Sequence, residues 1–489
     1  MTQEQMKKVL EIGVKLSSER DLDRLLEEIL SCVMELAGCD AGTLYLLDGG
    51  VLRFRFSRNL SLKNYSNGEG MAPVPLSREN VCALAFLEDR TICVDDVYHC
   101  SEYNFPGPRR YDALTGYRTQ SMLVVPMHGR DGEKPGVLQL INALDPEGRV
   151  CPFPPDMALV LESVASQAAL AIQNVRYTQE IHELFHSFVR VMSTAIDERS
   201  PYNANHSRRM AQCGERFADW LNARAEERGE EPPFPPARRE ELLMSIWLHD
   251  IGKVTTPLEV MDKANRLPPL QYARLDNHLL DAWYCAKIDC LEGRITEQEL
   301  ESITLSTCWA GELTEEMNEA EFLSDEQLEC LAGFKNRTYT DRGYTRPWIT
   351  DEEYAMLTIR KGTLAPEELE KMRRHVVMTD KMLSQIQFSR SLSHVRSWAA
   401  SHHEKLNGTG YPRGLKGDEI PYEVRIITIL DIFDALVADD RPYKKAKTVE
   451  QALKILGFGV KDGELDPELA DLFTQSRCWE GLYHEEEPT

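Results

Sequence analysis

A chain of 489 residues is too long for one hydrophobic core and calls for two or three domains. Its formal net charge of -24 sets the surface as a whole against polyanions, which excludes non-specific grip on a nucleic acid polymer or an anionic membrane. The 12 cysteines contain no CxxC pair, which argues against a disulfide framework and a structural zinc site and leaves them as small buried hydrophobes.

The chain opens on MTQEQMKKVLEIG, within a helical stretch over 1–19 that lacks the apolar core of a secretory signal. No apolar run is expected to reach the roughly 18 residues that span a bilayer, so the expected location is the cytoplasm. Asp21 is placed to cap a helix over DLDRLLEEILSCVMELAG, and the strand-like TLYLL and VLRFRFS follow around the turn Asp48-Gly49-Gly50. Further on, SMLVVPM and GVLQLINA flank the polar turn HGRDGEK, as a hairpin in the middle of a sheet would. Residues 20–178 therefore read as one α+β unit of sensor size.

The order helix, hairpin, VPLSRENVCALAFLEDRTICVDDV, SMLVVPM, GVLQLINA and closing helix resembles GAF domains. The resemblance implies a sensor fold that either takes a small-molecule ligand or serves as an empty dimerisation domain. Some GAF domains bind cyclic nucleotides and share an Asn-Lys motif after the last strand. Here that place reads Asn142-Ala143, followed by Phe153 and Asp156, a partial match.

A connecting helix is expected over 158–196, where Leu161, Val164, Ala168, Ala171 and Val175 open a three-four spacing that runs on to Ile196. That spacing is the seam of a coiled coil and predicts a parallel homodimer; the alternative is an amphipathic linker helix packed on its own domain. An acidic segment over about 280–361 reads as an inserted subdomain of short helices. It carries three capping-box signals, Thr296 with Glu299, Ser324 with Gln327 and Thr350 with Glu353.

The second half, 195–489, gathers His206, His249-Asp250, His375, His402-His403 and Asp431 without a cysteine among them. Nitrogen and oxygen donors of this kind suit iron or manganese held for catalysis. The helix EELLMSIWLHD is expected to end with Gly252 as its C′ residue, which puts His249 and Asp250 in a final turn whose dipole favours a cation. Adjacent helical residues point about 100° apart, so Asp250 can bridge to a second cation. His402 and His403 stand near the end of a helix that Asn407-Gly408 would stop. Asp431 lies in the apolar helix EVRIITILDIFDAL, where an unpaired carboxylate costs several kcal/mol, of the order expected for an isolated buried charge, and so needs a cation or donors. Asp434, one turn later, reads as a hydrogen-bonded helix neighbour.

The strings SPYNANHSRRMA, LHDIGK, HHEKLNGTGYPRGL, ILDIFDAL and DRPYK resemble the HD-GYP family over roughly 195–455, with Gly410-Tyr411-Pro412 intact. The resemblance implies an all-α bundle with a metal centre that hydrolyses cyclic di-GMP to linear pGpG or GMP. It also implies that His206, His249, Asp250 and Asp431 hold one metal, and Asp250 with His375, His402 and His403 the other. Three-metal members carry a Glu four residues before the first ligand histidine; Tyr202 stands there, so two divalent ions are expected. The insertion leaves two candidates for the central histidine, His278 in LPPLQYARLDNH and His375 in LAPEELEKMRRH. His375 is chosen, because its helix keeps more of the family's acidic start and Pro366 can begin it.

Lys253, past the helix end, would neutralise the scissile phosphate by the same likeness, or else only answer the helix dipole. Gly408 and Gly410 permit close backbone approach in the loop, and Tyr411 either contacts a guanine or packs that loop. Arg441 and Lys444 in DRPYKKA resemble a basic pair that holds the second phosphate. The expected whole is a GAF-like α+β domain, a connecting coiled-coil helix and a helical HD-GYP phosphodiesterase domain with a helical insertion. The alternatives are action on another cyclic dinucleotide or a nucleotide, and a non-catalytic cyclic di-GMP receptor.

Overall fold

The computed structural model describes residues 3–68, 70–200, 205–438 and 446–483. The chain divides into two compact units, Met1–Phe185 and His186–Thr489.

In the first unit α1 (Gln3–Ser18) and α2 (Leu22–Ala37) lead into β1 (Cys39–Asp48) and β2 (Val51–Asn59). There follow β3 (Asn64–Ser66), β4 (Val74–Pro75), α3 (Val81–Glu88), β5 (Ile92–Val94) and α4 (Pro106–Thr115). The hairpin β6 (Met122–Met127) and β7 (Gly136–Leu144), the short β8 (Val150–Cys151) and α5 (Met157–Asp197) close the series. The strands form an eight-stranded sheet in the order β3-β2-β1-β7-β6-β5, with β4 on β2 and β8 on β7. Asp21 caps α2 by accepting from the Arg24 N–H at 2.9 Å, and Gly38 ends it at φ 59, a conformation that costs glycine nothing. One sheet face is covered by α2 and the first part of α5, through Leu25, Ile29, Leu138, Ala165 and Ile172. The helix α1 joins that same core through Val9, Ile12 and Leu16. Asn142 is buried at φ 59 and its side chain is committed, accepting from Gln120 N and donating to Tyr117 Oη and Arg118 O. The residue at the partial Asn-Lys motif thus shapes the sheet and leaves no group open for a ligand.

Two expectations for α5 need correction. Leu161, Val164 and Ala168 are fully buried in the sheet's core, so the first half of the expected coiled-coil seam is already used within its own unit. The helix is also long and apolar enough, by length and composition, to cross a bilayer, and half of its most apolar window is buried within the protein. Alanines dilute that stretch, which is why inspection for unbroken apolar runs passed over it.

The second unit begins with α6 (His206–Glu227), α7 (Pro236–Leu248) and α8 (Leu258–Met261). The insertion region holds α9 (Pro269–Leu291), α10 (Glu297–Glu319), α11 (Asp325–Phe334), β9 (Thr338–Asp341), β10 (Tyr344–Pro347) and α12 (Asp351–Leu357). The chain resumes with α13 (Pro366–Leu383), α14 (Val395–Ala399), α15 (Tyr422–Val437), α16 (Val449–Lys461) and α17 (Pro467–Ser476). Met210, Phe217, Ile246, Leu430, Phe433 and Phe473 share one core, which ties α6, α7, α15 and α17 together. The insertion has a core of its own around Leu275, Leu279, Ala310, Met317 and Phe334.

All three capping boxes in the insertion form, each with the side-chain oxygen accepting from the third helical N–H. The expectation of short helices alone is wrong in two respects. Both α9 and α10 run for 23 residues, and β9 pairs with β10 as a hairpin whose turn, Arg342-Gly343, has φ 50 and 83. The buried Arg266 fastens this subdomain, donating to the carbonyls of Met317 and Ala320 at the end of α10 and to that of Ile359.

The helix α7 stops at Leu248, four residues before Gly252, and the chain continues through a 3-10 turn over Ile251–Thr255. Gly252 is therefore no C′ residue, and it lies outside the left-handed region. Its role is close approach: a Cβ there would sit 1.9 Å from the His375 carbonyl oxygen and 2.6 Å from Thr379 N. Thr379 completes the joint, accepting from Gly252 N and donating to the His249 carbonyl, both at 3.0 Å. Gly252→Ala is expected to destabilise the helical unit by about 1–3 kcal/mol through overpacking, measurable by urea unfolding followed by far-UV circular dichroism.

Candidate metal centre

Five separate stretches deliver side chains to one place. His206 is the first residue of α6, His249 caps α7 and Asp250 follows it. His375 lies within α13, His402 and His403 in the turn after α14, and Asp431 on the inner face of α15. His206 Nε2 stands 3.2 Å from His249 Nε2, 3.4 Å from Asp431 Oδ1 and 3.6 Å from Asp250 Oδ2. On the other side, His375 Nε2 is 3.5 Å from His402 Nε2, and both face Asp250 Oδ1, at 3.4 and 3.8 Å. His403 Nδ1 is 3.7 Å from Asp431 Oδ2. Asp250 thus turns one oxygen to each group of imidazoles, and its Oδ1 is buried with no hydrogen-bond partner.

Neighbouring backbone fixes which nitrogen each ring presents. Nδ1 of His249, His375 and His402 each lies 2.7 Å from the carbonyl three residues earlier, of Ile246, Met372 and Ala399. A carbonyl only accepts, so each Nδ1 carries the proton and each Nε2 offers a lone pair to the centre. His206 is held likewise, its Nδ1 donating to Asp434 Oδ2 at 2.7 Å. Imidazoles oriented by a carbonyl or a carboxylate behind them are the arrangement that metal-binding histidines need.

The titration behaviour points the same way. Burial pushes His402 well below the ordinary histidine range and His403 down to about 4, so both rings are neutral at pH 7. Burial opposes the charged form of His206 too, but the carboxylates of Asp434 and Asp431 outweigh it and lift that ring to about 10. Burial would raise Asp250; His249 and Lys253 beside it hold it well below the carboxylate range. A positive charge is therefore favoured between His206 and the carboxylates, and converging lone pairs with an orphaned carboxylate oxygen fit a divalent cation in that role. At this centre, among the described residues, three donor triads have ligand atoms within 4.8 Å of one another: His206-His249-Asp431, His249-Asp250-His402 and His375-His402-His403.

Of the two candidates for the central histidine, the structure brings His375 into this cluster. His278 lies on α9 in the insertion, with Nδ1 3.8 Å from Glu353 Oε2. Lys253 is largely buried and its Nζ is 2.5 Å from Asp250 Oδ2. Gly410 sits where a Cβ would come within 2.4 Å of Lys405 N, and the Tyr411 ring packs 4.8 Å from that of His403, while Pro412 is exposed. Arg441, Lys444 and Tyr202 lie outside the described residues.

Sequence reasoning missed two acids that organise the site. Asp434 is more than a helix neighbour, because it accepts from His206, Arg209 and Tyr483. Glu404 is buried and accepts from Arg413 N at 2.7 Å and Leu415 N at 2.9 Å, pinning the Gly410-Tyr411-Pro412 loop beneath the histidines. The available signal was an acid directly after His402-His403 and before a glycine-rich loop.

Comparison with known proteins matches residues 21–172 to the GAF domain family and 352–469 to the HD domain family. The chain joins a GAF domain to an HD domain. The HD match holds His375, His402, His403 and Asp431, while His206, His249 and Asp250 lie upstream of the insertion. The HD domain is similar to the 3'3'-cGAMP-specific phosphodiesterase 3 of Vibrio cholerae, 41% identical over 109 residues, 22% of this chain and 23% of the relative. It is similar also to the cyclic di-GMP phosphodiesterase response regulator RpfG of Xanthomonas campestris, 37% over 120 residues, 24% of this chain and 31% of the relative. A cyclic di-GMP phosphodiesterase of Thermotoga maritima is 41% identical over 139 residues, 26% of this chain and 37% of the relative. The chain therefore spans about a quarter to a third of the length of these curated relatives.

If His375 rather than His278 is a ligand, His375→Ala should lower the metal bound per protein by about half after loading with manganese, and His278→Ala should leave it unchanged. Elemental analysis of desalted protein reads both, and equal loss from the two variants contradicts the assignment.

Proposed function

We propose that the HD domain is an HD-GYP phosphodiesterase that hydrolyses cyclic di-GMP to linear pGpG or GMP, with the GAF domain as its sensor. The reading is carried by Asp250, whose two oxygens face two groups of imidazoles, an arrangement suited to a pair of divalent ions. His206, His249, Asp250 and Asp431 hold one ion, and Asp250, His375, His402 and His403 the other. Iron and manganese suit the donors. When bound, such ions polarise a phosphoryl oxygen and lower the pKa of water for an in-line attack on phosphorus.

The chain's own residues supply the rest. Lys253, paired with Asp250 Oδ2 at 2.5 Å at the edge of the centre, neutralises charge on the scissile group. Glu404 and Gly410 hold the loop that lets substrate approach, and Tyr411 forms its wall beside His403. Arg441 and Lys444 remain candidates for the second phosphate. The names of the Vibrio cholerae relatives favour one further substrate, 3'3'-cGAMP, which shares the cyclic dinucleotide ring. Manganese-loaded protein should convert cyclic di-GMP to pGpG or GMP, as separated by chromatography; turnover of 3'3'-cGAMP alone would shift the substrate, and binding without turnover of either would make the domain a receptor.

A small-molecule ligand for the GAF domain is supported by a cavity of about 250 Å³ lined by Tyr45, Phe54, Asn80, Tyr117, Thr119 and Gln139. Its aromatic walls with a few amides and hydroxyls, and Arg58 in the lining, suit a small, partly polar molecule. The homodimer is supported by a stripe different from the one foreseen: Ile181, Leu184, Phe188 and Val191 on α5 are 68, 71, 59 and 66% exposed. Their three-four spacing is that of a coiled-coil seam, which a second copy of the same helix fits. Phe188→Glu with Leu184→Glu should convert a dimer to a monomer in sedimentation equilibrium; a dimer that persists in the double variant excludes this seam.

A further inference from the structure

Two cysteines 265 residues apart in sequence meet in the second unit: Cys213 Sγ and Cys478 Sγ are 3.2 Å apart. Both are buried, Cys213 on α6 and Cys478 just beyond α17. Such proximity places the thiols close enough for a bond of about 2.05 Å after a small movement. Burial opposes ionisation of Cys478, yet hydrogen bonds from Cys213 and Ser476 outweigh it and pull its thiol below the ordinary range.

The position of the pair gives it a consequence. Cys478 opens the C-terminal segment that folds back over α6 and α15. Arg216 on α6 donates to the Glu480 carbonyl at 2.7 Å, and Trp479 packs 5.1 Å from Phe433. Tyr483 then donates to Asp434 Oδ1 at 2.7 Å, the same carboxylate that holds His206 through Oδ2. Any opening of this segment removes the Tyr483 partner from Asp434.

We propose that Cys213 and Cys478 are an oxidisable dithiol, which a hydroperoxide converts to a disulfide that staples the C-terminal segment to α6 and keeps the Tyr483-Asp434-His206 chain closed. The Cys478 thiolate attacks the peroxide, the O–O bond breaks, and a sulfenic acid and one water result. Cys213 then attacks that sulfur, the S–O bond breaks and a second water leaves with the thiol proton. Overall two thiols and one hydrogen peroxide give one disulfide and two waters, with two electrons passing from sulfur to oxygen. The crosslink closes a loop of hundreds of residues, the class for which the loss of unfolded-state freedom is greatest. The formation of the bond is independent of the proposed hydrolysis, and its effect on metal retention rests on His206 being a ligand.

The test uses the full-length manganese-loaded protein, treated with hydrogen peroxide, alkylated and mapped as non-reduced peptides. A dithiothreitol-reversible Cys213–Cys478 peptide is expected in the wild type. The same oxidation should raise the melting temperature by about 5 °C or more and slow manganese release to a chelator several-fold, with neither change in Cys213→Ser or Cys478→Ser. Cys93 and Cys308 are exposed and serve as internal controls. If they are oxidised while Cys213 and Cys478 remain thiols, the proposal fails, and this reading depends on no variant. A crosslink that leaves manganese release unchanged overturns the link to His206. Absence of phosphodiesterase turnover bears only on the proposed function.

Discussion

Buried imidazole and carboxylate groups that converge on one place, with Asp250 Oδ1 left without a hydrogen-bond partner, are the constraint on which the helical unit depends. Five imidazole nitrogens, four of them Nε2 and the fifth His403 Nδ1, and four carboxylate oxygens meet at separations of 3.2 to 3.8 Å. In a site shielded from water such a group costs several kcal/mol, of the order of a buried unpaired charge, until a cation enters. The fold accepts that cost because four of the rings are held from behind, His249, His375 and His402 by carbonyls and His206 by Asp434. Removing any one anchor would let a ring turn and form an ordinary hydrogen bond, and the centre would lose its demand for positive charge.

The same constraint explains packing that has no chemistry of its own. His249 and Asp250 sit where α7 has ended and a 3-10 turn begins. That turn must touch α13 closely enough to bring His375 alongside, and Gly252 and Thr379 make the contact possible. The insertion intervenes in sequence between these partners without intervening in space, because it closes its own core around Leu275, Ala310 and Phe334. Long excursions with a private core add little to the entropy of bringing their ends together.

Support extends outward in layers. Glu404 ties the Gly410-Tyr411-Pro412 loop beneath His402 and His403, while Thr428 donates to the His402 carbonyl from α15. Asp434 collects His206, Arg209 and Tyr483 and so joins the centre to the C-terminal segment. The helix α5 is used differently along its length: the first part fills the core under the GAF sheet, and the later part carries the exposed apolar stripe.

Local chemistry was legible in the residues themselves. Asp21 as a cap, the three capping boxes of the insertion and the apolar strand runs around polar turns all depend on neighbours within a few positions, where residue type and hydrogen-bonding chemistry suffice. The adjacent His249-Asp250 and His402-His403 pairs and the lone carboxylate of Asp431 on an apolar helix likewise announced a centre, because each is costly without a cation. Distance in space decided the rest. Which histidine completes the cluster, why Gly252 must be glycine, which face of α5 stays exposed and which two of 12 cysteines meet depend on contacts between segments far apart in the chain. A sequence pattern reports the burial a residue needs, and only the packed structure reports what it is buried against.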